Sequence, residues 1–136
     1  MTEFPEGYEL REGADARSAH AFLTHSYWSP GIPLETVERA LANSLCVSVL
    51  HGGVQVGMAR VITDRATFAY LADVYVLDGH GGKGLAKAMV GHLQEHPDLQ
   101  GLRRWMLATR DAHGLYESLG WQSLPDPSLF MQRHFP

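Results

Sequence analysis

The stretch from Thr67 to Leu77 is almost wholly apolar, with Asp73 its one acid, and it runs without a break into Asp78-Gly79-His80-Gly81-Gly82-Lys83-Gly84. A run this apolar predicts a strand buried on both faces at the centre of a sheet. Glycines then remove the side chains from the turn. Leu85, Met89 and Leu93 recur at helical spacing and predict a helix over Leu85 to Glu95, ended by His96-Pro97. Strand, glycine turn and helix in that order leave backbone N–H groups unpaired at a helix N-terminus, where the dipole favours an anion. The expected ligand is a phosphate or pyrophosphate. The bland alternative is a glycine-rich connection that binds nothing.

The rest of the chain builds around that unit. A strand is expected at Tyr8 to Arg11. Asp15 caps a helix over Ala16 to His25, and a loop with Tyr27, Trp28 and two prolines leads to a helix over Leu34 to Ala42. Leu45 to Leu50 and Gln55 to Thr63 read as strands joined by a Gly52-Gly53 hairpin turn. Arg104 to Ala108 reads as a strand and His113 to Leu119 as a short helix stopped by Gly120. Trp121 opens a strand that pairs with Leu129 to Arg133 as a final hairpin. The order β-α-α-β-β-β-α-β-α-β-β predicts an α/β (α+β) class: a mixed, mostly antiparallel sheet with helices on both faces. With 136 residues, 45% of them hydrophobic, the chain suits one domain over residues 1–136.

Charge and composition narrow the function. A net charge of -4 argues against nucleic acid as a partner, because phosphate backbones want a basic face. No apolar run reaches the roughly 18 residues of a membrane span. Met1 to Glu12 is polar and acidic and does not read as a signal peptide. Cys46 is alone and cannot form an internal disulfide, which fits a reducing, cytoplasmic setting. The eight histidines are scattered and expected mostly at the surface.

Three phosphate motifs can be compared with the glycine turn. A nucleotide P-loop fails, because Lys83 is followed by Gly84 and its first glycine position is Leu77. The dinucleotide pattern G-x-G-x-x-G matches at Gly79, Gly81 and Gly84, but glycine runs match it easily, and the acid nearest the end of the next strand, Asp111, stands 27 residues after Gly84 where about 20 is expected. The third fits best. Gly81-Gly82-Lys83-Gly84-Leu85-Ala86 resembles motif A of the GNAT superfamily of N-acetyltransferases, Arg/Gln-x-x-Gly-x-Gly/Ala. Asp73 to Leu77 looks like that family's central strand. Thr109 to Trp121 is similar to its motif B, Asn-x-x-Ala-x-x-Leu-Tyr-x-x-x-Gly-Phe. The resemblance extends from about Tyr8 to Arg133. Two positions depart from it: Gly81 stands in place of Arg or Gln, and Thr109 in place of Asn, so weaker coenzyme A binding than in a typical relative is expected.

The resemblance implies direct attack of an amine on the acetyl-CoA thioester. It places Gly81, Gly82, Lys83, Gly84, Leu85 and Ala86 at the phosphates. It places Val74, Tyr75, Val76, Thr109 and Ala112 along the pantetheine, with the Val76 N–H polarising the carbonyl. Tyr116 is the candidate general acid, since a phenol can protonate a departing thiolate; the alternative is a tyrosine that only packs its helix. Asp73 is the candidate base, because burial would raise its pKa; the alternative is a carboxylate satisfied by backbone or an arginine. Tyr27, Trp28 and Tyr70 are expected at the acceptor, a small-molecule or protein amine, and His113 and Tyr70 are further possible bases.

Two rival readings remain. His92-Leu93-Gln94-Glu95-His96 spells the zinc motif H-x-x-E-H, but Pro97 frays the helix at its second histidine, so no metal is expected. A non-catalytic coenzyme A sensor of the same fold is the other. A homodimer fits the family, though no residue in the sequence demands one.

Overall fold

The computed structural model describes residues 4–136; Met1 to Glu3, the start of the acidic leading stretch, lie outside them. Five strands form one sheet: β1 (Tyr8–Glu12), β2 (Leu45–His51), β3 (Val54–Thr63), β4 (Phe68–Val76) and β5 (Arg104–Met106). Their spatial order is their chain order. The first four are antiparallel neighbours, and β5 joins β4 in parallel. The parallel step needs a crossover, and the glycine turn with α3 (Leu85–Gln94) supplies it.

Local chemistry sets these elements. The Asp15 carboxylate accepts from the Ser18 N–H at 2.8 Å and starts α1 (Ala16–Leu23). The Ser26 hydroxyl takes the Leu23 carbonyl at 2.7 Å, so α1 stops there and does not reach His25. Gly52 and Gly53 at φ 58° and 80° make the two-residue turn between β2 and β3. After β3, the Asp64 carboxylate collects the N–H groups of Ala66, Thr67 and Phe68.

The helices cover both faces. On one, Ala19 and Leu23 of α1 and Val37 of α2 (Leu34–Ala42) pack on Met58 and Tyr75. On the other, α3 brings Leu85, Met89, Val90 and Leu93 over Val47, Val49, Val56 and Val61, and Tyr116 of α4 (His113–Glu117) joins this larger cluster.

Two expectations are corrected. The middle strand is β3, and β4 alternates, with Ala69, Leu71 and Tyr75 buried and the residues between them half-covered. The reason is β5, which pairs with only the first three residues of β4. The hairpin of Trp121 with Leu129 to Arg133 does not form among the described residues. Instead the Trp121 N–H donates to the Tyr116 carbonyl at 3.1 Å, and a 3₁₀ turn at Pro127–Leu129 follows. Pro125 and Pro127 cannot donate to a ladder, and the Asp126 side chain ties Ser128 into the turn.

Candidate active site

Beyond the three β4–β5 pairs, Phe68↔Arg104, Ala69↔Trp105 and Tyr70↔Met106, the strands part. β4 continues to Val76 with its β5-side edge unpaired. A bulge reshapes that stretch. Met58 pairs with Tyr75 and Arg60 with Ala72, so Asp73 and Val74 stand opposite Ala59 alone. Asp73 takes the extra turn at φ 54°, a left-handed conformation that Asp tolerates better than most residues. The Leu77 N–H donates to the Val56 carbonyl at 2.8 Å. Alternation along a strand then turns the Val76 N–H to the opposite, open edge. Tyr70 sits where the splay begins.

The Asp73 side chain is fully engaged. Its Oδ1 accepts from Trp28 Nε1–H at 2.8 Å and its Oδ2 from Arg60 Nε–H at 2.8 Å. Arg60 also donates to the Ser44 hydroxyl at 3.1 Å, at the end of α2. The side chains of this ion pair are only 15% (Arg60) and 13% (Asp73) exposed. Of the two expected states, the carboxylate satisfied by an arginine is the one observed. A proton leaving an amine would compete with two donors already in place. Sequence reasoning passed over Arg60, although it is the one charged residue in β3. Next to this knot, Phe22 stacks on Tyr75 with ring centroids 4.2 Å apart. Gln55 donates to the Tyr75 hydroxyl at 3.1 Å.

Tyr116 approaches from the β5 side. The Thr109 hydroxyl accepts from the Ala112 N–H at 3.0 Å and shapes the start of α4, so two of the expected contact residues hold each other. Tyr116 is buried and lines a cavity of about 360 Å³ with Met106, Thr109, His113 and Trp121. Burial pushes its phenol above the usual tyrosine range, and nearby Tyr27 adds to the shift. The Arg110 guanidinium lies 3.8 Å from the centre of the Tyr27 ring. That contact joins the aromatic loop between α1 and α2 to the loop after β5. Sequence reasoning passed over Arg110 as well.

The glycine turn closes the far end. The His80 N–H donates to the Leu77 carbonyl at 3.1 Å, and Gly79, Gly82 and Gly84 all take left-handed φ angles. Ala88 is the first residue whose N–H is taken within α3, at 3.0 Å by the Gly84 carbonyl. The N–H groups before it have no partner in the helix. Lys83 is exposed and Leu85 buried, so the turn is anchored on one side and open on the other. At Gly81 a Cβ would meet nothing within 4 Å.

The H-x-x-E-H residues do not keep helical register. α3 ends at Gln94, and His96 is extended at ψ 133°. His96 Nδ1 accepts from the Asp98 N–H at 3.0 Å, which leaves the ring proton on Nε2. That Nε2 lies 3.8 Å from Glu12 Oε1, and His92 Nε2 lies 3.2 Å from the same oxygen. The two imidazoles therefore share a carboxylate. No helix among the described residues is long and apolar enough to cross a membrane.

Comparison with known proteins shows the family to which this fold belongs. The model of the Acetyltransferase (GNAT) family matches residues 8–121. A Gibberella zeae protein assigned to the acetyltransferases is 34% identical over 123 residues, 75% of this chain and 68% of its own length. A crystal structure from Xanthomonas campestris, assigned to the same family, is 43% identical and superposes with a TM-score of 0.92 over 98% of this chain and 96% of its own. The aminoglycoside N-acetyltransferase AAC(6')-Iy, solved in complex with CoA, shares the fold at a TM-score of 0.72 and 16% identity, over 98% of this chain and all of its own. The match runs from β1 to just past α4 and takes in the bulged strand, the glycine turn and Tyr116. The chain belongs to the GNAT family of acetyltransferases.

Proposed function

We propose that the protein moves an acetyl group from acetyl-CoA to the nitrogen of a primary amine by direct attack within the β4–β5 cleft. One observation carries this reading: β4 runs on past its last pair with β5, which leaves the Val76 N–H on an open edge directly before the glycine turn. Acetyl-CoA supplies a thioester carbon open to attack. The amine nitrogen forms its bond to that carbon, the carbon–sulfur bond breaks, and the departing thiolate takes a proton.

Each residue has a task in this scheme. The N–H groups from Gly81 to Ala86, with Lys83, hold the diphosphate. Backbone groups of Val74, Tyr75 and Val76 pair with the pantetheine arm, and the Val76 N–H donates to the thioester oxygen where negative charge develops. Thr109 and Ala112 border the arm from the β5 side. Tyr116 gives the thiolate its proton; burial keeps the phenol protonated at neutral pH. Asp73, tied to Arg60 and Trp28, shapes the bulge and the acceptor wall, while the amine proton passes to solvent. Tyr27, Trp28 and Tyr70 form the acceptor side, which suits a small-molecule or protein amine. Buried, unpaired Cys46 suits a reducing, cytoplasmic setting.

Titration calorimetry with acetyl-CoA, followed by thiol release across a panel of amines, tests the reading. Binding with amine-dependent thiol release is expected. No heat at millimolar acetyl-CoA would overturn it. Gly81, where the family's motif has Arg or Gln, favours a second reading, a coenzyme A sensor of the same fold. Binding without release for any amine would favour that one.

A further inference from the structure

One line of contacts runs across the cleft at its acceptor end. Arg110, on the loop after β5, holds its guanidinium 3.8 Å from the centre of the Tyr27 ring. Tyr27 meets Trp28 edge to face, with ring centroids 5.0 Å apart. Trp28 donates to Asp73 in the bulge of β4, three residues before Val76. The two rings are 52% and 41% exposed. Neighbouring aromatic rings with free surface give the body of a small ligand something to stack on.

Charge along this line is unevenly matched. Asp73 and Arg60 neutralise each other, and Trp28 takes the second carboxylate oxygen, so a cationic ligand finds no free oxygen on Asp73. Arg110 differs. Among the described residues no carboxylate lies within 4 Å of it. Asp111, its neighbour in sequence, and Glu117 of α4 are exposed and stay outside that distance. Contact with a ring engages the face of a guanidinium and leaves free the N–H fork that grips an oxyanion with two parallel bonds. The tie to Tyr27 also sets the side chain in place beforehand, so less conformational entropy is lost on binding. Arg104 and Arg133 lie over rings too, each 5.1 Å from the centre, but those rings are Phe130 and Phe135 in the last residues of the chain, outside this line.

We propose that the acceptor is a small amine that also carries an oxyanion, a carboxylate or a phosphate, and that Arg110 binds this anion while Tyr27 and Trp28 cover the body between anion and nitrogen. An amino acid is the simplest member of the class. The position suits this division of tasks. Tyr27 is near enough to Tyr116 to help raise its phenol, so a ligand anchored on Arg110 is held a short reach from the group that protonates the thiolate. Energy gained at the anion then orients the nitrogen for attack. The product is an N-acetyl amide that keeps its negative charge.

This inference rests on the proposed transfer to amines, and matched pairs of acceptors let the two fail separately. Thiol release from acetyl-CoA is measured with phenylalanine against 2-phenylethylamine, tryptophan against tryptamine, and O-phosphoethanolamine against ethanolamine. The anionic member of at least one pair is expected to have a kcat/KM about tenfold to a hundredfold higher, and the pair that shows it tells carboxylate from phosphate. In Arg110→Met that ratio should fall about tenfold or more, chiefly through a rise in KM for the anionic member. Arg110→Lys keeps the charge without the fork and should retain part of the preference. A preference that came only from amine basicity would persist in both variants. Thiol release with no preference in any pair, or a preference that Arg110→Met leaves intact, would overturn the inference and spare the transfer. No thiol release with any amine would overturn both.

Discussion

Asp73 carries two burdens that one substitution cannot separate. Its carboxylate joins Arg60 to Trp28, and its backbone holds a left-handed φ inside a strand. Asn suits that conformation and can still accept one hydrogen bond; Ala suits neither role. Asp73→Ala leaves the Arg60 guanidinium buried and unpaired and should cost about 2–4 kcal/mol in denaturant unfolding. Asp73→Asn should lose roughly half as much. Equal losses would mean that the left-handed backbone contributes nothing and that the charge of the carboxylate carries the whole effect. Tyr116 makes the opposite case, a residue whose removal should spare the fold and stop the chemistry. Tyr116→Phe keeps the ring, so the unfolding midpoint and acetyl-CoA affinity should stay close to the parent while kcat falls about a hundredfold to ten-thousandfold. Its phenol is raised by burial, so any stability tied to that proton is fully present below the unfolded tyrosine value of about 10 and is lost only as pH climbs through the folded value. Both residues were legible in the sequence, one as a lone acid in an apolar strand and one by its place in motif B. Arg60, the partner of Asp73, and Arg110, which lies over Tyr27, were not, because contacts across 13 and 83 residues leave no trace in local spacing.

Elements add constraints that no single side chain shows. The bulge in β4 depends on the close passage of β3 at Gly57. A Cβ there would stand 3.0 Å from the Tyr75 carbonyl oxygen and 3.3 Å from the Met89 side chain. The first neighbour is backbone and cannot step aside, so Gly57→Ala should cost about 1–3 kcal/mol and disturb the strand that carries the Val76 N–H. Chemical denaturation together with acetyl-CoA titration would show both effects; a neutral substitution would mean that β3 and β4 are free to separate. Gly81 is the contrast within one connection. Its φ is not left-handed and its surroundings are open, so Gly81→Arg fits without strain. An added guanidinium at the diphosphate should tighten acetyl-CoA about three- to tenfold by calorimetry, and an unchanged affinity would show that the loop does not face the phosphates. The strand, glycine turn and α3 were readable because local rules govern all three. The final hairpin was misread for the same reason. Leu129 to Arg133 has strand composition, but pairing requires a neighbour, and the two prolines before it carry the chain away from the nearest edge.

The whole molecule can be followed through its one thiol. Cys46 lies on β2, two strands from the cleft, with β1 and β3 on either side. Burial pushes the thiol up to about 11, opposed in part by Arg60. At pH 8 roughly one molecule in a thousand would carry the reactive thiolate, and the side chain has little exposure through which a reagent could enter. Labelling therefore requires the layers to part. Since β2 is braced by antiparallel partners and buries Val47 and Val49 in the larger core cluster, the opening that frees Cys46 should approach global unfolding more closely than loop fluctuation. Ellman's reagent should react with the native protein about a hundredfold or more slowly than with the urea-unfolded chain. The native rate should rise with denaturant at nearly the slope of the full unfolding transition. Asp73→Ala should raise it as well, because losing the ion pair loosens the sheet within reach of both side chains. Prompt, stoichiometric labelling under native conditions would show that β2 detaches on its own, and the five strands would then not behave as one cooperative sheet.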